Sequence, residues 1–136
     1  MRKEKTIPTV HVVGALSDLL LGKETSVKYE DPRNLTVTVK IFDHSFSNTL
    51  VDLGATINIL TTKTYEKLGI KMLEPKSTLL ELADRSVIKP EGILQDILVS
   101  VDSWEYPIEF IVINPKIRLD GHPMILGRTR LVTTDA

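Results

Sequence analysis

One carboxylate, that of Asp52, lies inside the apolar run of residues 50–60 and is the side chain best placed to do chemistry. An ionised carboxylate in apolar surroundings is costly unless it is paired, hydrogen-bonded or protonated. Gly54 follows closely and permits a tight turn or a close approach of another backbone. We therefore predict a carboxylate held at the end of a buried strand, with backbone packed around it. A simpler interpretation, in which Asp52 only caps local backbone amides, stays open at this point.

The composition limits the chemistry that this acid can join. The chain has 136 residues, 42% of them hydrophobic and 26% charged, which suits one globular domain with a substantial core. Its 17 basic and 18 acidic residues are scattered, which disfavours nucleic acid or a membrane surface as a partner. Cysteine is absent, so thiol catalysis, disulfides and cysteine-bound zinc are excluded. The apolar runs are too short to span a bilayer, and we expect an intracellular, cytoplasmic protein.

Metal and nucleobase sites are also disfavoured by the spacing of the residues that could form them. His11, His44 and His122 lie far apart without ligand spacing, so we expect no metal and no cofactor. Trp104 and Phe110 are better explained as core or hairpin packing than as a platform for bases.

The elements that must position Asp52 are mostly short strands. Apolar residues alternate with polar ones over residues 35–41, which predicts a half-buried strand. A turn near Asp43 leads into a second strand that ends at Asp52, and residues 56–60 resemble a third. Thr61 or Thr62 can cap a short helix through residue 68, which Gly69 then ends.

The second half of the chain has the stronger β pattern. Residues 78–83 and 87–89 predict two strands around a turn at 84–86. Residues 97–101 and 104–112 alternate in the manner of a long hairpin, with Pro107 at an outward position. Residues 124–128 predict a buried strand end, and residues 129–132 the start of a final helix. Many short strands with few helices indicate an all-β, closed barrel-like domain.

Residues 1–33 form a separate N-terminal extension in our interpretation, ahead of a main domain at residues 34–136. Leucines and valines at helical spacing between Val12 and Leu20 predict a short amphipathic helix, with Gly22 as a stop. We expect this helix to dock on the outside of the main fold. Residues 24–34 are polar, contain Asp31-Pro32 and are typical of a linker.

Three motifs in order resemble the retropepsin-like aspartic proteases, in particular those of plant gypsy-type LTR retrotransposon polyproteins. They are DLGAT at residues 52–56, LADRS at residues 82–86 and ILGR at residues 125–128. A D-x-G-A motif alone is weakly specific, whereas the ordered combination with a hairpin on each side is much more so. The resemblance covers roughly residues 35–134. It implies a closed β-barrel half-molecule that becomes an enzyme as a homodimer.

The resemblance also implies a role for each motif residue. Asp52 is catalytic, and Leu53 supports the loop that carries it. The residues implied to bind the peptide substrate are Gly54, Ala55 and Thr56 on the cleft floor and Ala83, Asp84, Arg85 and Ser86 at the tip of a closing flap. The residues implied to pack around the active loop are Ile125, Leu126, Gly127 and Arg128.

Elementary chemistry agrees with a homodimer. Hydrolysis of a peptide bond without metal, serine or cysteine requires two carboxyl groups, one acting as base on water and one as acid. Only one D-x-G-A occurs in the chain, so the second Asp52 must come from a twofold-related copy. Two facing carboxylates cannot both ionise comfortably, so we expect them to titrate as a unit with an acid-leaning optimum. The substrate implied is a peptide segment of the parent polyprotein.

Two departures from the family pattern keep a second hypothesis open. Most relatives carry Thr or Ser after the catalytic acid, where the hydroxyl bonds across the dimer axis, whereas this chain has Leu53, as is familiar among the plant elements. Asp84, Arg85 and Ser86 replace the usual flap glycines. The alternative is a catalytically weak or inactive retropepsin-like module that dimerises or binds peptides. A third hypothesis, a nucleic-acid-binding domain, is disfavoured by the neutral charge.

Overall fold

Alternating apolar residues close into a six-stranded barrel in this computed structural model, which describes residues 7–22 and 34–128. The elements are β1 (Thr9–His11), α1 (Gly14–Leu20), β2 (Asn34–Ile41), β3 (His44–Asp52), β4 (Ile59–Leu60), α2 (Thr62–Leu68), β5 (Leu79–Glu81), β6 (Val87–Ile88), β7 (Gly92–Val101), β8 (Trp104–Val112) and β9 (Met124–Leu126). The barrel order is β2-β3-β9-β4-β8-β7, closed by antiparallel pairing of β2 with β7. A smaller sheet has the order β1-β5-β6. The all-β barrel with short helices predicted from the sequence is confirmed.

The barrel interior is filled by one of two buried apolar clusters. This barrel cluster has its members on every barrel strand and on α2: Val39, Ile41, Phe46, Leu60, Leu68, Leu94, Ile97, Val99, Ile108, Phe110, Val112, Met124 and Leu126. They supply the inward faces that the period-two pattern predicts. Because a one-residue slip would turn these side chains outward, the cluster also fixes strand register.

A second cluster covers the opposite face of the same strands. This lid cluster comprises Val12, Leu16, Leu19, Leu20, Leu50, Ala55, Ile59, Leu80, Leu82, Ile93, Ile111, Ile113, Leu119 and Ile125. Neighbouring residues such as Ile59 and Leu60 therefore belong to different clusters, and both are fully buried. Strands covered on both faces are continuous apolar runs, which explains the unbroken apolar letters at 59–60, 110–113 and 124–126.

The N-terminal helix is packed more deeply than we expected from its sequence. α1 contributes three buried leucines to the lid cluster, alongside residues of β3, β4, β8 and β9. β1 extends the small sheet by pairing with β5 in parallel. The described part of the extension therefore packs against the outer face of the barrel strands, where its leucines are buried in the lid cluster.

Several sequence-based boundaries need correction. The strand expected at residues 56–60 is only Ile59–Leu60, because residues 53–58 form the loop after β3. Trp104, expected in packing, is 58% exposed at the end of the β7–β8 hairpin, whereas Phe110 is fully buried. Pro107 lies outward as predicted. The linker expected at residues 24–34 lies almost wholly outside the described residues, and the helix expected at 129–132 lies entirely outside them.

Candidate active site

Asp52 is the last residue of β3, held between two neighbouring strands. β3 pairs with β2 on one side and in parallel with β9 on the other, where Val51 lies opposite Leu126. The Asp52 side chain is buried, with 6% of the residue exposed. Burying an ionised carboxylate without hydrogen-bond partners costs free energy, so the partners of Asp52 determine how much its burial destabilises the fold. The strand-end carboxylate predicted from the sequence is found here.

The chain turns sharply after Asp52 and places the Gly54 amide on the carboxyl group. Gly54 N–H donates to Asp52 Oδ1 at 2.9 Å, and Ala55 N–H donates to the Asp52 carbonyl at 3.0 Å. A Cβ at position 54 would lie 3.3 Å from Asp52 Oδ1, closer than ordinary van der Waals contact. Gly54 therefore leaves the carboxylate uncrowded while its amide helps to orient it. Local amide capping is present, as the simpler interpretation of Asp52 requires.

The loop after Asp52 is clamped from below by the end of β9. Arg128 N–H donates to the Ala55 carbonyl at 2.9 Å. A Cβ at Gly127 would clash with the carbonyl oxygen of Ile57 and lie 2.9 Å from that of Ala55. Only glycine lets the two backbones approach this closely. The packing of Gly127 against the active loop, implied by the resemblance, is present in this geometry.

Asn58 is a site residue that our sequence reasoning missed. Its Oδ1 accepts from Gly127 N–H at 2.8 Å, and its Nδ2 donates to the Glu109 carbonyl at 3.2 Å. The side chain is buried and joins the active loop to both β9 and β8. A buried side-chain amide without hydrogen-bond partners costs free energy. The polar Asn58 between the apolar Ile57 and Ile59 therefore indicated a hydrogen-bonded side chain, and this was the signal available in the sequence.

The hairpin of β5 and β6 carries the residues predicted to form a flap. Leu82 N–H donates to the Ser86 carbonyl and Arg85 N–H to the Leu82 carbonyl, both at 2.8 Å. Asp84 Oδ1 accepts from the Ser86 amide at 2.9 Å and from its hydroxyl at 2.6 Å. Arg85 has a φ of 74°. The hydrogen bonds of the Asp84 side chain and the left-handed backbone of Arg85 thus form the turn that glycines would otherwise make.

The predicted floor and flap meet through the lid cluster. Ala55 on the active loop and Leu82 at the base of the flap tip both belong to it, as does Ile125 of β9. Ala83, Asp84, Arg85 and Ser86 are exposed at the tip. Leu126 lies on the other face, in the barrel cluster, and supports the loop from beneath.

Thr56 is placed apart from the flap. It is exposed and lines a cavity of about 470 Å³ whose described lining comes from the active loop, β7 and β8. Asp96 and Glu109 contribute carboxylates to the same cavity. Leu53 is half-buried and Arg128 is exposed, each adjoining the active loop. Across residues 7–22 and 34–128, no three His, Asp or Glu side chains are grouped so as to hold a metal ion.

Comparison with known protein families identifies the same region. Residues 37–129, more than half of the chain, match the family model described as Aspartyl protease. That span includes Asp52, the flap hairpin and Gly127. No curated protein matches this sequence.

Three solved structures share the fold at low sequence identity. The retroviral protease-like domain of Ddi1 from Leishmania major is 20% identical with a TM-score of 0.51, covering 69% of each chain. A retropepsin-like aspartic protease from Rickettsia conorii is 17% identical with a TM-score of 0.52, covering 69% of this chain and 73% of that one. EIAV protease, solved with the inhibitor HBY-793, is 21% identical with a TM-score of 0.55, covering 74% of this chain and 86% of that one.

Within the described ranges, no helix has the length and apolar character needed to cross a bilayer.

Proposed function

Because the chain belongs to the aspartyl protease family, we propose that it is an aspartic endopeptidase that works as a homodimer. One Asp52 from each protomer supplies the pair of carboxyl groups. The observation that carries the proposal is the buried Asp52 at the end of β3, oriented by the Gly54 amide and clamped through Gly127. A structural acid that only caps a turn does not need a second backbone packed against its loop.

The reaction follows from the two carboxyl groups sharing one proton. The ionised Asp52 takes a proton from a water molecule as the water oxygen attacks the peptide carbonyl carbon. The protonated Asp52 gives its proton to the leaving nitrogen as the C–N bond breaks, and the proton taken from the water leaves the pair of carboxyl groups with one proton again. Gly54 and Ala55 would approach the substrate backbone from the floor, and residues 83–86 would close over it.

The substrate we propose is a peptide segment of a polyprotein that contains this domain. The order of the motifs DLGAT, LADRS and ILGR supports an origin in an LTR retrotransposon of the plant gypsy type. A cleft built between a loop and a hairpin suits an extended peptide, because both walls offer backbone amides and carbonyls.

The second candidate is a module that dimerises or binds peptides without cleaving them. Leu53 favours it, since leucine offers no hydroxyl for a bond across the dimer axis. Loss of such bonds would loosen the pair of carboxyl groups and lower the rate.

Asp52→Asn separates the two functions. The amide has nearly the same shape but cannot act as a base, so we expect pepstatin-sensitive cleavage to fall roughly a thousandfold or more. Asp43→Asn, at the exposed turn between β2 and β3, is the matched control and should keep full activity. Cleavage that persists in Asp52→Asn would exclude Asp52 as the catalytic acid, whereas a wild-type protein that binds peptides without pepstatin-sensitive cleavage would leave the binding module.

A further inference from the structure

We propose that residues 7–22 occupy the substrate cleft of their own chain. This segment must move out before a peptide can bind. This inference rests on the proposed protease function for the identity of the cleft. It goes further by assigning an inhibitory role to β1 and α1.

The first observation is that β1 occupies the open edge of the flap. β5 lies between β1 and β6, with Thr9 opposite Leu79 and His11 opposite Glu81. Two hydrogen bonds extend the ladder, from Leu79 N–H to the Pro8 carbonyl at 2.9 Å and from Val12 N–H to the Glu81 carbonyl at 2.8 Å. The edge of a strand is where an extended peptide would add by backbone pairing. That edge is already taken by this chain.

The second observation is that α1 packs in the same apolar cluster as residues of the proposed floor and of the proposed flap. Its three buried leucines share the lid cluster with Ala55 and Ile125 from the floor and with Leu80 and Leu82 from the flap: Leu16, Leu19 and Leu20. Apolar side chains of a bound peptide would need the same apolar surface. The segment and a substrate therefore compete for one volume.

The third observation is a hydrogen bond at the flap tip. Ser17 is fully buried, and its Oγ accepts from Ala83 N–H at 2.9 Å. Ala83 is among the residues proposed to close over a substrate. Its amide is thus directed at the helix, where a substrate carbonyl would otherwise accept.

The helix is also built to be displaced. α1 has only seven residues, and its N-cap position, Val13, provides no side-chain cap. A helix this short is marginal by itself and depends on burial of its leucines.

The test uses full-length variants that weaken the segment at different strengths. Ser17→Ala removes the acceptor for Ala83, and we expect about a fivefold gain in kcat/KM on a peptide substrate. Leu19→Asp places a charge in the lid cluster, and we expect a gain of tenfold or more, as well as tighter binding of pepstatin. Asp18→Asn, on the same helix but outside the buried set, is the control and should change neither quantity.

Amide hydrogen exchange keeps the test independent of catalysis. Leu19→Asp should speed exchange at Ala83 and Val12 while the barrel amides of β7 and β8 stay protected, which separates release from global unfolding. Adding pepstatin to the wild-type protein should also speed exchange at Val12, because inhibitor and segment compete. Exchange at Ala83 and Val12 that stays slow in Leu19→Asp would overturn the inference, as would fast exchange with no gain in cleavage or pepstatin binding.

The same measurements in an Asp52→Asn background separate this inference from the proposed function. In the double variant, Leu19→Asp should still speed amide exchange at Ala83 and Val12, but no cleavage should occur. Cleavage by the double variant would reject the protease mechanism, whereas unchanged exchange would reject only the proposal that residues 7–22 occupy the cleft.

Discussion

At the scale of single residues, two glycines do different work around one carboxylate. Gly54 leaves room beside Asp52 Oδ1, and Gly127 lets β9 press against the carbonyls of Ile57 and Ala55. A methyl group at the first position would meet a side-chain atom, whereas one at the second would meet backbone that cannot move aside. A substitution at Gly54 should therefore affect mainly the carboxylate, and one at Gly127 mainly the stability of the fold.

We expect Gly127→Ala to destabilise the protein by about 2 kcal/mol or more, because the new Cβ overpacks the active loop. Gly54→Ala is the matched variant, and should change stability by less than about 1 kcal/mol while lowering activity through the crowded carboxylate. Urea unfolding and peptide cleavage measured on both variants provide the comparison. Equal loss of stability in the two would contradict the clamp.

At the scale of elements, α2 is fastened to the barrel by its first turn. Thr61 caps the helix by accepting from Thr64 N–H at 3.1 Å, and its hydroxyl also contacts the Pro123 carbonyl at 3.2 Å. Gly69 ends the helix with a φ of 68°. The cap predicted from the sequence is confirmed, with Thr61 as the residue that makes it. Because Pro123 precedes β9, the cap also helps to hold the strand that clamps the active loop.

Replacing Thr61 by Ala should cost about 1–2 kcal/mol of unfolding free energy, since the cap and its buried partners are lost together. Thr61→Ser keeps the hydroxyl and should recover most of that loss. Thermal unfolding of the two variants and of the wild-type protein measures this loss of stability. A serine variant as unstable as the alanine variant would show that packing of the threonine methyl matters more than the cap.

At the scale of the whole molecule, the proposed enzyme depends on association of two copies. Leu53 adjoins Asp52 and is half-buried in the single chain. In the proposed dimer, a threonine there would provide a hydroxyl for bonds across the axis, each worth about 1 kcal/mol.

Leu53→Thr should therefore lower the dimer dissociation constant by roughly tenfold or more relative to Leu53→Val, which has the same shape without the hydroxyl. Sedimentation equilibrium across a dilution series measures the constant for both. Identical constants would show that position 53 does not face the partner in the way we propose.

The activity of the assembled enzyme should be highest on the acid side of neutrality. When the pH rises, the shared proton is lost and no carboxyl group is left to act as the acid; when it falls far enough, both are protonated and no base remains. We expect a bell-shaped dependence of kcat/KM on pH, recorded over the range where unfolding controls show an intact barrel. A profile flat from acid to alkaline would contradict the shared proton.

Local patterns in the sequence were enough to predict part of this protein. The alternation at residues 35–41 and 97–112 specified strands, Thr61 and Gly69 bounded a helix, and Asp52 followed by Gly54 marked the strand-end carboxylate. These features are set by neighbours along the chain, through side-chain period, capping and backbone freedom. Their outcome needs no knowledge of what lies across the fold.

Which distant segments meet depends on the folded chain and cannot be predicted from local patterns. Asn58 looked like one more residue of an apolar run, yet it joins its own loop to β8 and to the end of β9, because Glu109 and Gly127 are brought to it. Trp104 fitted the inward alternation but lies where the hairpin extends past the core. The leucines of α1 predicted an apolar face without saying what it would cover. Long-range pairing leaves no trace in local spacing, so the contact between α1 and the flap could be found only in the folded chain.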